Sequence, residues 1–371
     1  MDREVPSPIG SPPIEKIGDK KMPEADTYTL YNTSSTGPSK ANREELADFI
    51  SIIEPEVTPV TSAISKGSTK SVFTEWLCED LSPAKVDSTV EGHDSSSWFN
   101  KAENRARLGN YINISKREFG VSDIQELVDQ AGLDSEIDHA KSKAVRELKR
   151  DIEAVVCSTQ DRGATTGTYK SRGLFNWIDS GGPSDVPSMY RAASGSISDG
   201  AAGGSNDMTE AQLNAVLQSL FTDCGEKKTY MGVMSPTVID IIDNFTRVDT
   251  ATRGRYHVNE PSGSKTINME VKTFNSSFGV INMIPSVFLG GSTSGEEVSD
   301  GVDTLAFTND DDAGLILDTD LLELKFLDPM HTESFEDRGG GPRGHAKAVY
   351  TLVVKNPKAN GKILDADGHG S

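Results

Sequence analysis

The densest group of side chains able to do chemistry is Asn309, Asp310, Asp311 and Asp312. Neighbouring oxygen donors suit a hard cation such as Ca²⁺. The acids are consecutive, however, and Gly314 falls at the wrong step for an EF-hand loop. A solvated acidic loop is the stronger reading, with a divalent ion bridging two chains as the functional variant. No other constellation marks a reaction. The chain has no GxSxG elbow, no phosphate-cradling GxxxxGK[ST], no GxGxxG and no HExxH. His93, His139, His257, His331, His345 and His369 are scattered, and His139 beside Asp138 reads as a surface or packing residue. Ser and Asp are so abundant that triads composed from spacing carry no weight. Cys78, Cys157 and Cys224 lack a second Cys or a His at ligand spacing, so they read as reduced, packed thiols. The sequence calls for no cofactor and no metal.

The elements around these residues explain more. The chain has 371 residues, enough for one large or two ordinary cores, but only 35% are hydrophobic. With 34 Gly and many Ser, much of it should be loop, arm or exposed strand. No run of 18 apolar residues exists and the first residues are no signal peptide, so a soluble, cytoplasmically made chain without a membrane partner is expected. The net charge of −20 argues against nucleic-acid binding by simple attraction. Half of it sits in residues 296–328, where eleven acids meet one base, Lys325. Residues 141–150 are the opposite, with Lys141, Lys143, Arg146, Lys149 and Arg150 against Glu147.

One long helix dominates the pattern. Residues 134–157 contain no Pro or Gly, and Leu133, Ile137, Ala140, Ala144, Leu148, Ile152 and Val155 form an apolar stripe. Asp134, Glu136 and Asp138 suit its first turn, and Lys149 and Arg150 lie toward its last. It would be about 36 Å long. Before it come a Pro/Ser/Thr/Gly-rich arm (1–40), a short helix over 43–53 stopped by Pro55 and Pro59, and a hairpin over 66–115. The hairpin's tip, 82–104, is polar apart from Trp98 and Phe99. A two-stranded ribbon is marginal alone, so it needs another surface. After the long helix, residues 179–207 read as a linker. A helix over 209–223 opens on a Thr209/Gln212 capping box and closes at Gly225, and a strand at 229–234 leads into Ser235-Pro236 and another helix. Strands follow at 267–274, 278–284, 321–327 and 345–354, the last apolar on both faces and therefore interior.

Several strings in this order resemble the major capsid proteins of tailed bacteriophages with the Hong Kong 97-type fold, an α+β architecture. The nearest likeness is to the branch grouped with the Salmonella-type podophage capsid proteins. The strings are Glu54-Pro55-Glu56-Val57-Thr58-Pro59-Val60 with Glu75-Trp76 and Asp80-Leu81, then Gly109-Asn110-Tyr111-Ile112. Arg146-Glu147-Leu148-Lys149-Arg150-Asp151-Ile152-Glu153, Gly173-Leu174-Phe175-Asn176-Trp177-Ile178, Phe278-Gly279 and Tyr350-Thr351-Leu352 with Asn356 follow. The likeness covers roughly residues 44–360.

The resemblance implies an N-terminal arm and short helix (1–65), an extended hairpin loop (66–115) and a peripheral domain (116–208) with spine helix 134–157. An axial domain (209–320) and return strands with a C-terminal tail (321–371) would complete the chain. It implies a non-enzymatic subunit that self-assembles into pentamers and hexamers of one icosahedral head, within a virion built in the host cytoplasm. Scaffold, portal and minor capsid or cement proteins would be partners, and contact with the enclosed double-stranded DNA would be incidental. Some relatives crosslink a Lys to an Asn, but nothing specifies Lys85, Lys101 or Asn356 for that role. Trp76 reads as packing at the hairpin stem, and Trp98 and Phe99 as anchors between subunits. Lys101, Arg105, Arg107, Lys141 and Lys143 would face acids of a neighbour and set register, or merely keep the subunit soluble. The competing readings are a bacterial nanocompartment shell, which would enclose an enzyme, and a carboxylate-dependent hydrolase.

Overall fold

A computed structural model describes residues 58–81, 84, 86, 88–94, 105–128, 135–199, 208–245, 272–286, 289, 313–337 and 339–364. In chain order its elements begin with α1 (Pro59–Ala63), β1 (Ser65–Ser68), β2 (Phe73–Glu79), β3 (Arg105–Tyr111), β4 (Asn113–Gly120), α2 (Asp123–Leu127) and α3 (Glu136–Val156). Next are β5 (Gly163–Thr165), β6 (Thr168–Lys170), α4 (Leu174–Trp177), β7 (Ile197–Asp199), α5 (Glu210–Cys224), β8 (Lys228–Met234) and α6 (Pro236–Phe245). The chain closes with β9 (Thr273–Asn275), β10 (Gly279–Pro285), β11 (Gly314–Leu317), β12 (Leu322–Phe335), β13 (Arg343–Val354) and β14 (Gly361–Leu364).

The expected long helix is α3, two residues shorter at its start and one at its end. Ser135 is extended and its hydroxyl accepts the Asp138 N–H at 3.4 Å, so the cap falls there. Glu126 of α2 adds a second cap, accepting the Ile137 N–H at 3.3 Å. Ala144, Leu148 and Ile152 carry the stripe into the core. There α3 meets a four-stranded sheet of order β1-β12-β13-β4. Leu322, Leu324 and Phe326 of β12 stand opposite Val354, Leu352 and Tyr350 of β13, and this apolar face packs toward the helix. On the other face Val349, Thr351 and Val353 of β13 are buried as well, so this strand is interior on both sides.

A six-stranded sheet, β7-β14-β11-β8-β10-β9, holds the second core. Leu213, Val216, Leu217 and Leu220 of α5 and Val238 and Ile242 of α6 bury against Tyr230, Ile281, Ile316 and Ile363. The capping box is formed, with Gln212 N donating to Thr209 Oγ1 and Thr209 N to Gln212 Oε1 at 2.7 Å. Gly225 closes α5 at φ 74°, a left-handed position that suits glycine. This sheet also takes β7 and β14, from outside residues 209–320.

Three expectations need correcting. The returning hairpin strand is two strands: it breaks at Ile112, so that β3 pairs with β2 while β4 pairs with β13. The strand expected at 321–327 continues to Phe335, because its full length pairs with β13. The supposed linker is packed in its first half, where Val186, Tyr190 and Ala192 are buried and Arg191 donates to the carbonyls of Gly181, Pro183 and Val186. Residues 1–57, the hairpin tip at 95–104 and the acidic run at 296–312 lie outside the described residues, with the 43–53 helix, the start of the 267–274 strand and Asn309–Asp312 among them.

Candidate assembly surface

The ribbon β2–β3 is the element most suited to reach a partner, and its stem is anchored on its own body. Thr74, Trp76 and Cys78 stand opposite Asn110, Leu108 and Ala106 on the inward face. Leu108 and Cys78 are core residues, and the half-buried Trp76 ring lies 5.6 Å from that of Trp177. Asn110 is fully buried and binds in three directions. Its Nδ2 donates to Ser171 Oγ (3.0 Å) and to the Leu352 carbonyl (2.9 Å), and its Oδ1 accepts the Arg172 N–H (2.9 Å). The sequence gives reason to expect a ribbon in need of a neighbour; at the stem, its own subunit supplies the surface.

Arg172 extends this network. Its guanidinium is buried, lies 4.7 Å over the Trp177 ring, and bonds Asp161 (2.7 Å) and Asp185 (2.7 and 3.1 Å). Burial pushes the Asp185 carboxyl up, but the Arg172 bond and the charges of Arg172 and Arg162 outweigh it and hold it below the usual carboxylate range. On the outward face, the Phe73 and Tyr111 rings meet at a tilt with centroids 4.6 Å apart. Gly109 makes room, since a Cβ there would come within 2.5 Å of Phe73 Cζ.

A second anchor holds the point where the arm enters the body. Glu153 of α3 is fully buried, and its two carboxylate oxygens accept the N–H groups of Val60 and Thr61 at 2.8 Å each. Desolvation raises its pKa, and the bonds from Thr61 and Val60 offset this only in part.

The residues singled out from sequence fall in several places. Trp76 packs at the ribbon stem, as expected. Arg105 bonds Glu79 across the ribbon at 2.6 and 3.0 Å, and Arg107 lies 3.6 Å from Glu75. Both arginines thus have acidic partners in their own chain, on an outward face that also bears the exposed Leu77. Lys143 lies 3.8 Å from Glu147 one turn along α3, and Lys141 is half-buried on the same helix. Trp98, Phe99 and Lys101 lie outside the described residues. Asn110, Glu153 and Arg172 escaped sequence reasoning, because polar residues give no periodic signal and their partners lie as far as 242 positions away. Among the described residues no group of His, Cys, Asp and Glu could hold a metal ion, and no helix is long and apolar enough to cross a membrane.

A long helix against one sheet, a second sheet under two helices, and a two-stranded ribbon make up the Hong Kong 97-type α+β fold. The chain belongs to the SU10 major capsid protein family, whose profile matches residues 26–367. The fold is similar to that of Gordonia phage Cozz, with 13% identity over 93% of this chain and 97% of that one and a TM-score of 0.54. The capsid of Cyanophage A-1(L) gives 12% identity, 89% and 98% coverage and a TM-score of 0.57. The capsid of a native GTA particle gives 8%, 91% and 100%, and 0.59. No curated protein sequence matches. The protein is therefore a phage major capsid protein, structural and non-enzymatic, which associates with copies of itself in the capsid of a virion. The family match sets aside the nanocompartment and hydrolase readings.

Proposed function

We propose that copies of this chain assemble in the host cytoplasm into pentamers and hexamers of one icosahedral head around double-stranded DNA. The observation that carries this reading is the family match over nearly the whole chain, joined to a ribbon whose stem is fixed and whose outward face carries Leu77 and charged pairs. The stem network of Asn110 and Arg172 sets the ribbon's direction before any neighbour arrives, which lowers the ordering cost of docking. In this reading residues 66–115 are the extended loop, 116–208 the peripheral domain, 209–320 the axial domain and 321–371 the return strands and tail. Trp98 and Phe99 anchor the loop on a neighbour, and Lys101, Arg105, Arg107, Lys141 and Lys143 contribute to docking register. The chain's net charge of −20 suits an inner wall that contacts DNA only incidentally. Scaffold, portal and cement proteins complete the assembly.

Expression of the chain alone, followed by negative-stain electron microscopy and sedimentation, tests the proposal. Closed shells are expected. A product that stays monomeric at all concentrations, with and without co-expressed partners, would overturn it.

A further inference from the structure

Two exposed apolar patches lie at opposite ends of the four-stranded sheet. The first is α2. Ile124, Leu127 and Val128 are spaced to share one helical face, are 76%, 85% and 55% exposed, and have no buried neighbour within the helix. The helix is held from its other side. Glu126 accepts the Ser135 hydroxyl (3.0 Å) and the Ile137 N–H (3.3 Å) at the start of α3, which turns the apolar face outward. The second patch is on the ribbon. Leu77 is 62% exposed on its outward face, and Leu81, just past β2, is exposed almost entirely.

Strand β13 fixes where each patch lies. Gly120 of β4 pairs with Arg343, and the Val121 N–H donates to the Pro342 carbonyl (3.0 Å), so α2 follows directly at the Arg343 end. The ribbon passes the other end. Asn110 bonds the Leu352 carbonyl, Cys78 the Lys355 carbonyl, and Asp80 lies 4.0 Å from Lys358. A strand from Arg343 to Val354 puts these ends about 36 Å apart. The ribbon stem therefore runs away from α2 and leaves its apolar face uncovered.

We propose that α2 is the seat for the ribbon of a second copy, with Leu77 and Leu81 packing on Ile124, Leu127 and Val128 in a head-to-tail contact. Charge favours this occupant. The cross-strand neighbour of Leu77 is Arg107, which is exposed and only loosely paired with Glu75 at 3.6 Å. Residues 121–128 hold two acids, Asp123 and Glu126, and no base. Glu126 is engaged with α3, which leaves the exposed Asp123, on the flank of the apolar face, to receive Arg107. Giver and receiver are different surfaces, so each copy lends one ribbon and accepts one, and the contact closes into a ring when the rotation does. A stable pair in solution needs about 20–30 residues a side. The contact is thus one of the assembled particle and not of a free dimer.

This contact rests on the shell reading, and its test separates the two. Wild-type particles report on the shell, and the variants report on the seat. Leu127→Asp, Asp123→Arg and Arg107→Asp should each cut particle yield by about tenfold or more. The unassembled subunit should keep its melting temperature, because all three side chains are exposed. Combined in one chain, Asp123→Arg and Arg107→Asp should restore most of the yield. The two positions lie too far apart to meet within a chain, so such recovery comes only from contact between copies. No recovery would overturn the proposal, as would Leu127→Asp assembling like wild type. A second measurement uses no charged substitution. Particles of a chain carrying Leu77→Cys with Leu127→Cys are treated with a bismaleimide spanning about 10 Å, the separation of packed elements. A ladder of crosslinked oligomers is expected on a denaturing gel, and each single-cysteine variant should lack it. Absence of the ladder, or the same ladder from either single variant, refutes the contact.

Discussion

The two cores of this subunit are held by different means. The core under α5 and α6 is built mainly by apolar side chains, from Leu213 and Leu217 to Ile281 and Ile363, with buried polar groups such as Lys362 and Asn360 at its margin. The core along α3 includes a buried carboxylate, guanidinium and carboxamide, those of Glu153, Arg172 and Asn110. The difference follows from what each must hold. Helices α5 and α6 carry their own local signals, caps and amphipathic faces, so non-directional burial is enough to seat them. The α3 core must hold α1, the ribbon and the turn at 171–173, which have little regular structure of their own. Directional hydrogen bonds fix such segments where packing alone leaves their register open.

The sharpest way to break this comparison is Arg172→Ala. It leaves the Asp161 and Asp185 carboxylates without their shared cation and removes the ring contact on Trp177. A loss of about 3–5 kcal/mol in the unassembled subunit is expected, measured by urea unfolding. A loss under about 1 kcal/mol, the worth of a surface pair, would mean that the polar network is ornamental. Leu217→Ala in the other core should cost about 2–5 kcal/mol by cavity formation. The two should differ in partial proteolysis. Arg172→Ala should open cleavage near the ribbon while the second core stays protected, and Leu217→Ala should do the reverse.

Glu153 gives the comparison a pH signature. Its pKa in the folded state lies above the ordinary glutamate value, because burial opposes the charge more than the Val60 and Thr61 bonds favour it. A raised carboxyl contributes stability that is fully present below the unfolded value and is lost as pH rises through the folded one. The subunit should therefore lose part of its stability as pH climbs out of the acidic range, and Glu153→Gln should flatten that slope. Melting temperatures of both proteins across this range measure it. Parallel curves would show that the carboxyl titrates as it does in the unfolded chain.

The same contrast explains what could be read in advance. Thr209 and Gln212, Gly225 and Ser235-Pro236 announce α5 and α6, because caps and stripes are local. The α3 stripe was equally plain. The ribbon stem was not, because the partners of Asn110 lie at Ser171, Arg172 and Leu352, and no local pattern encodes such a meeting. The outer half of β12 escaped for another reason. Residues 327–335 expose charged and polar side chains on a strand whose partner, β13, supplies the order.

The smallest expected effect is the most useful for locating assembly contacts. Two guanidinium nitrogens of Arg105 donate to one carboxylate oxygen of Glu79, yet the side chains are 51% and 44% exposed. Arg105→Ala should cost the unassembled subunit about 0–1 kcal/mol. If the outward face of the ribbon is only a solvated surface, particle stability should fall by no more than that. If it meets a neighbour, each particle loses the contact at every copy, and the melting temperature of the shell should drop while that of the subunit hardly moves. Glu79→Ala and the double variant complete a cycle in both states. Coupling confined to the free subunit marks a bond that merely stiffens the ribbon. Additional loss in the particle marks a charge facing another chain, and places the ribbon's outward face among the surfaces that order the shell.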